Sequence, residues 1–136
     1  MVLVDSNILL DIWDDDPIWA PWSKKQMLHL SRMDEIAINP VIYAEISVRF
    51  PSRSQVDAAV ENLGLILLDI SCEAAFLAGL AFLKYRRQGG ARTGVLPDFF
   101  IGAQALAGNL TLLTRDARRY ATYFPNVRLI TPPARP

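Results

Sequence analysis

Five short strand-like runs, Val2 to Val4, Glu35 to Asn39, Leu65 to Asp69, Leu110 to Thr114 and Val127 to Ile130, alternate with helical stretches along the whole chain. That alternation leaves few architectures open: parallel strands joined by crossover helices that cover both faces of one sheet. Val2-Leu3-Val4 is wholly apolar and shows no alternation, as a strand buried on both faces requires. The prediction is an α/β fold with three layers, α/β/α, around a mostly parallel central sheet.

The helices between these strands carry their own punctuation. A short one covers Asn7 to Trp13, with Ser6 or Asn7 as its cap, and a longer one runs from about Pro21 to Met33. Pro40 opens a helix to Phe50, since its fixed φ suits a first helical position. Ser52-Arg53-Ser54-Gln55 has the form of a capping box for a helix to Leu63 that Gly64 terminates. Ser71 caps a long helix to about Arg87, with Phe76, Leu77, Leu80 and Leu83 on one face and Ala74, Ala75, Ala78, Gly79 and Ala81 permitting close packing. Pro97 introduces the helix Asp98 to Ala107, closed by Gly108, and a short helix starts at Ala117.

A chain of 136 residues, 51% of them apolar, is the size of one domain with a sizeable core. A single domain over 1–136 is expected, with 131–136 as a loose tail. Apolar runs stop short of the roughly 18 residues a membrane span needs, and no basic-then-apolar leader opens the chain, so a cytoplasmic protein is expected. Cys72 and His29 are each the sole residue of their type, which rules out an intrachain disulfide or a zinc site of Cys and His ligands; both read as structural, Cys72 as a small buried filler. Fourteen basic residues balance fourteen acidic ones, which argues against coating nucleic acid by bulk charge.

Within this frame the acids draw attention by position. Asp5 follows the first strand and Asp116 follows the fourth, and in open α/β sheets ligands bind beyond the carboxyl ends of strands. Taken alone, Asp5 also reads as a plain helix cap. Glu45 sits among Val41, Ile42, Ala44 and Ile46, so it is either functional or paired with Arg49 one turn on. Asp98 lies in the first turn of its helix. Together the four could line one crevice, and oxygen-only ligands select hard cations such as Mg²⁺ or Mn²⁺, which implies a phosphate ester as substrate. Asp14-Asp15-Asp16-Pro17 reads instead as a solvated helix junction, with a metal ligand as the alternative. Trp13, Trp19 and Trp22 cluster there, at least one as core, the others as core or as a partner surface. Lys84-Tyr85-Arg86-Arg87 runs into a glycine-rich loop that could track a phosphate backbone or simply satisfy a helix end.

Val-Asp-Ser-Asn at 4 to 7, Pro-Val-Ile-Tyr-Ala-Glu-Ile around Glu45, Pro-Asp-Phe-Phe-Ile-Gly-Ala-Gln-Ala at 97 to 105 and Leu-Leu-Thr-Arg-Asp at 112 to 116, in this order over nearly the whole chain, resemble the PIN-domain ribonucleases, especially the VapC-like toxins of toxin-antitoxin pairs. The resemblance implies a doubly wound parallel sheet and a divalent-metal-dependent endoribonuclease. It implies Asp5, Glu45, Asp98 and Asp116 as a catalytic, metal-binding pocket for Mg²⁺ or Mn²⁺, with Thr114, Ser6 and Asn7 as polar support. Arg86, Arg87, Arg92 and Arg115 would steer an RNA substrate. The implied partners are a cognate antitoxin protein and a second copy in a homodimer, with no membrane. An antitoxin Arg would pair with the acids, and an amphipathic antitoxin segment would lie on Ile12, Trp13, Ile18, Trp19 and Trp22.

Competing readings fare less well. A haloacid-dehalogenase-like Mg-dependent phosphatase needs a second Asp two residues after the first, where this chain has Asn7. A response-regulator receiver needs a late Lys, and no Lys follows Lys84. A non-catalytic RNA-binding or scaffold module of the same fold would be signalled by a lost acid, and none is lost.

Overall fold

Burial drives the strands. The computed structural model describes residues 1–92 and 94–133, so Thr93 in the basic loop and residues 134–136 of the expected tail lie outside the described residues. Strands β1 (Val2–Val4), β2 (Ile36–Ile38), β3 (Ile66–Leu67), β4 (Thr111–Leu113) and β5 (Leu129–Ile130) form one sheet in the order β3-β2-β1-β4-β5, with every pairing parallel. All residues of β1 and β2 are buried, so Ile36-Ala37-Ile38 does not alternate between core and water but is covered on both faces, as β1 is. Val2 stands opposite Ile36 on one side and Thr111 on the other.

Among the described residues seven helices connect these strands: α1 (Ser6–Trp13), α2 (Ala20–Ser31), α3 (Pro40–Ser47), α4 (Arg53–Asn62), α5 (Cys72–Arg87), α6 (Leu96–Ala107) and α7 (Ala117–Tyr123). From β1 the chain steps outward to β2 and β3, then crosses to β4 and continues to β5 on the other side. Applied to this strand order, the right-handed rule for parallel crossovers assigns α1 to α4 to one face and α5 to α7 to the other, which completes the three layers. The reversal between β1 and β4 is the topological switch point, and it opens a crevice at their carboxyl ends.

Several local expectations hold and others change. Ser71 and Ser52 cap α5 and α4 through Ala74 N and Gln55 N, and Gly64 ends α4 with a φ of +66° that a side chain would strain. Asn39 is a helix cap as well as a strand end: its Oδ1 accepts from Ile42 N at 2.9 Å. The short helix α1 is capped by neither Ser6 nor Asn7, because it starts at Ser6 with Asp5 in the cap position. Along α5 the alanines win the core: Ala74, Ala78 and Ala81 are buried against α6, while Phe76, Leu80 and Leu83 are exposed. Small side chains let the two helix backbones approach, and the bulky face is turned out. Cys72 is likewise exposed at the start of α5 rather than a buried filler, and His29 is exposed on α2.

Two packing features set the crevice walls. Phe99 meets Phe82, Tyr85, Tyr123 and Phe124 ring to ring, with centroids 5.1 Å apart for Phe99 and Tyr123, which ties α5, α6 and α7 together. Gly102 makes the α6 contact possible, since a Cβ there would lie 2.4 Å from the Phe124 ring. At the acidic junction, Asp14 and Asp15 are exposed and pair with Arg49 and Lys24, and Asp16 Oδ1 accepts from Ile18 N and Trp19 N. This is the solvated junction expected. Trp13 stacks edge-on against Phe50 beside the core, with ring centroids 5.2 Å apart.

Candidate active site

Asp5 enters the crevice because β1 ends there. Its backbone is extended, as a helix cap requires, yet its carboxylate makes no capping bond to α1. Oδ2 instead accepts from Thr114 Oγ1 at 2.7 Å, Tyr120 Oη at 3.1 Å and Asn7 Nδ2 at 3.3 Å. The plain helix-cap reading therefore fails. Asp5 is only 4% exposed and has no counter-ion among the described residues. Burial above all pushes its carboxyl up to about 6; the Thr114 and Tyr120 hydrogen bonds oppose this and the charge of Asp98 adds to it.

Glu45 arrives from α3. Its expected surface partner, Arg49, pairs with Asp14 instead, and Glu45 Oε1 accepts from Ser6 Oγ at 3.0 Å. The same hydroxyl lies 3.4 Å from Asp5 Oδ1, so Ser6 sits between the two carboxylates. Burial, with repulsion from Asp5 and Asp98 and against the Ser6 bond, lifts Glu45 to about 7. Asp98, in the first turn of α6, is also raised, by burial first, while Arg119 pulls it down and Asp116 pushes it up. Asp5, Glu45 and Asp98 thus feel one another's charge, and Asp116 joins through Asp98.

Thr114 is the hub of the polar support. It donates to Asp5 and accepts from Asp116 N at 3.0 Å and Asn7 Nδ2 at 3.4 Å, which locks the turn after β4 onto the start of α1. Asn7 Oδ1 also accepts from Arg115 N at 3.3 Å. Arg86 and Arg87, at the end of α5, and Arg92 are exposed, and Arg92 N donates to Tyr85 Oη at 3.1 Å, which folds the basic loop back on α5.

Arg115 differs from expectation. Its guanidinium forms a two-pronged pair with Asp11, Nε to Oδ2 at 2.7 Å and Nη2 to Oδ1 at 3.0 Å, and lies 5.1 Å over the Trp19 ring. Asp11 is buried and also accepts from Ser23 Oγ. A guanidinium held on a buried carboxylate is not available to steer RNA, so Arg115 joins α1, α2 and the β4 turn.

Three residues escaped the sequence reading: Tyr120, Arg119 and Asp11. Tyr120 is fully buried, and its phenol is held protonated by burial and by the charge of Asp5, so it stays a donor. Arg119 pairs with Asp98 and lies 3.8 Å from Asp116. The available signal was spacing. Arg119 and Tyr120 stand three and four residues after Asp116, and Asp11 four after Asn7, which puts each on the same helix face as a site residue.

The donor set suits a hard divalent cation: all oxygen, with Asp5 and Glu45 lacking a positive partner among the described residues. In this conformation, no three acids among the described residues converge on one point as a finished cage, and Asp98 and Asp116 are drawn to Arg119.

A family model described as PIN domain matches residues 2–125. The chain belongs to the PIN domain family. No curated protein sequence matches it significantly. Among solved structures, this PIN domain is similar in fold to VapBC2 from Rickettsia felis bound to a promoter DNA fragment (TM-score 0.75, 20% identity, 98% of this chain and 100% of that one). It is similar also to a toxin-antitoxin complex from Klebsiella pneumoniae (0.71, 24%, 98% of each). A third is VapC20 of Mycobacterium tuberculosis, described as a sarcin-ricin loop cleaving toxin (0.63, 16%, 94% and 99%). With the PIN fold in hand, the acids at the switch point occupy the place where an α/β sheet does its chemistry.

Proposed function

We propose that this PIN domain is a divalent-cation-dependent endoribonuclease acting on single-stranded or looped RNA, and the toxin of a toxin-antitoxin pair. The observation that carries the reading is Asp5, a buried carboxylate without a counter-ion among the described residues, held by three donors on Oδ2 and within reach of the charges of Glu45 and Asp98. Mg²⁺ or Mn²⁺ held by Asp5 and Asp98, with Glu45 and Asp116 direct or through water, would activate a water and neutralise charge on the reacting phosphate. Thr114, Tyr120 and Asn7 occupy Oδ2 and so orient Asp5. Ser6 Oγ donates to Glu45 Oε1 at 3.0 Å and so orients that carboxylate. Arg86, Arg87 and Arg92 would meet flanking phosphates of a strand whose bases are splayed out.

The restraint would come from an antitoxin. Ile18, Trp19, Pro21, Trp22, Pro132 and Pro133 line an apolar cavity of about 300 Å³ fit for one side of an amphipathic segment. Pro132 and Pro133, expected in a loose tail, belong to this wall. The stripe Phe76, Leu80 and Leu83 on α5 supports the homodimer, since exposed apolar side chains at helical spacing favour a second copy. Among the described residues no helix is long and apolar enough to cross a membrane, and the site of action would be the cytoplasm, where the RNA is.

The test is cleavage of a structured RNA by purified protein. Cleavage should require Mg²⁺ or Mn²⁺, stop in EDTA, and fall about a thousandfold in Asp5→Asn and Asp98→Asn, the scale of losing central electrostatic groups. Activity persisting in EDTA or in either variant counts against the metal mechanism. If the lone soluble protein leaves growth unaffected and its upstream neighbour's product does not co-purify, the toxin assignment fails on its own.

A further inference from the structure

Arg119 faces two ways. Its guanidinium pairs with Asp98 and lies 3.8 Å from Asp116, so one side chain spans two of the four acids. The other arginines near the crevice are committed or remote: Arg115 to Asp11, Arg49 to Asp14. Among the described residues Arg119 is therefore the only cation paired with the acids of the site. The same side chain borders a neighbouring open cavity of about 550 Å³, whose other walls are Ala91, Arg92, Gly94 and Val95. Among the described residues that space is lined by two arginines and no acid, and its volume lies within the range of ligand sites, which suits an anion larger than a single ion.

We propose that Arg119 is an exchangeable counter-ion: it sits on Asp98 and Asp116 when no divalent cation is bound, and moves onto a substrate phosphate in the Arg92 cavity once a cation takes those carboxylates. The phosphate half rests on the ribonuclease reading above; the competition half does not. A guanidinium and a divalent cation that need the same carboxylate oxygens exclude each other, and each weakens the other's hold. By linkage, a cation that frees Arg119 strengthens the phosphate site, and an RNA that engages Arg119 strengthens cation binding by the same factor. The nuclease would then grip substrate firmly only when loaded for reaction. Arg119 acts here as a positioning and binding residue.

Mn²⁺ titration calorimetry without RNA tests the competition. Arg119→Met should bind Mn²⁺ about fivefold more tightly than wild type, the scale of removing one partly exposed ion pair, and Arg119→Lys should fall between. Equal or weaker Mn²⁺ binding in Arg119→Met overturns the exchange. Wild type gives a measurement independent of variant folding: the Arg119 Nε-Hε resonance should shift on adding diamagnetic Mg²⁺, and a resonance that does not move overturns it too. For the phosphate half, Arg119→Met should raise KM for RNA about tenfold in Mn²⁺, as one desolvated charge pair would, yet change RNA affinity in EDTA less than twofold. An unchanged KM, or an equal loss in EDTA, rejects the phosphate position. Should no RNA be cleaved at all, the ribonuclease reading falls, while the Mn²⁺ titration still decides the competition.

Discussion

At Asp5 one carboxylate oxygen takes three donors, and this asymmetry decides what the residue can do. Thr114 and Tyr120 stabilise the charged form, and both hydrogen bonds hold the carboxyl lower than burial alone would leave it. Removing the phenol in Tyr120→Phe should therefore raise the Asp5 pKa further. The acid limb of the pH-rate profile should move to higher pH, and turnover at pH 6 should fall about tenfold, the scale of one hydrogen bond to a charged group. A profile superimposable on wild type would remove Tyr120 from the site. The places of Asp5, Glu45, Asp98 and Asp116, after strand ends or on flanking helices, could be read from the sequence, and the structure brings their charges within reach of one another. Tyr120 could not be read so, since an aromatic in a short amphipathic helix reads as core, and only its contact with Asp5 distinguishes it.

Among the elements, α1 does the most with its eight residues. Its first turn carries Ser6 and Asn7 to the acids, and its second turn carries Asp11 to Arg115, so one short helix sets both the polar support and the brace behind it. Asp11 is 5% exposed, and breaking a buried pair from one side leaves a charge without its partner. Asp11→Ala should lower unfolding stability by about 1.5 kcal/mol in urea denaturation, because the guanidinium left behind is partly exposed; a loss under about 0.5 kcal/mol would show that the brace is idle. Element positions followed well from capping and proline signals, and faces less so. On α5 the sequence pattern marks an apolar face through Phe76, Leu80 and Leu83, yet the buried side is Ala74, Ala78 and Ala81. Periodicity finds a stripe, but which stripe is buried depends on how closely α6 approaches, and that is a property of both helices.

For the whole molecule, the uncompensated acids make stability depend on pH in a direction opposite to most proteins. Asp5 at about 6 and Glu45 at about 7 stand above their ordinary values of 3.8 and 4.5. Between about pH 4 and pH 7 the folded protein holds protons that the unfolded chain has released, so these groups cost stability as pH rises through that window. For Asp5 the cost of the charged form is about 3 kcal/mol. Thermal unfolding in EDTA should accordingly show a lower midpoint at pH 8 than at pH 5. Asp5→Asn should flatten the difference, and Mg²⁺ should recover the midpoint mainly at pH 8. A midpoint that rises with pH equally in wild type and Asp5→Asn would contradict the cluster.

The alternation of apolar runs and capped helices by itself determined the α/β class, the parallel sheet and the acids worth watching, because strand and helix periods, proline and glycine are local properties of the chain. The four ordered motifs around the acids, not the alternation, carried the PIN resemblance. Only the tertiary structure decided the pairings. Arg49 leaves Glu45 for Asp14, Arg115 turns from substrate to Asp11, and Arg119 settles on Asp98. A charged side chain has several acids within reach in sequence, and its choice is set by which of them is desolvated nearby, a quantity that exists only once the helices have packed.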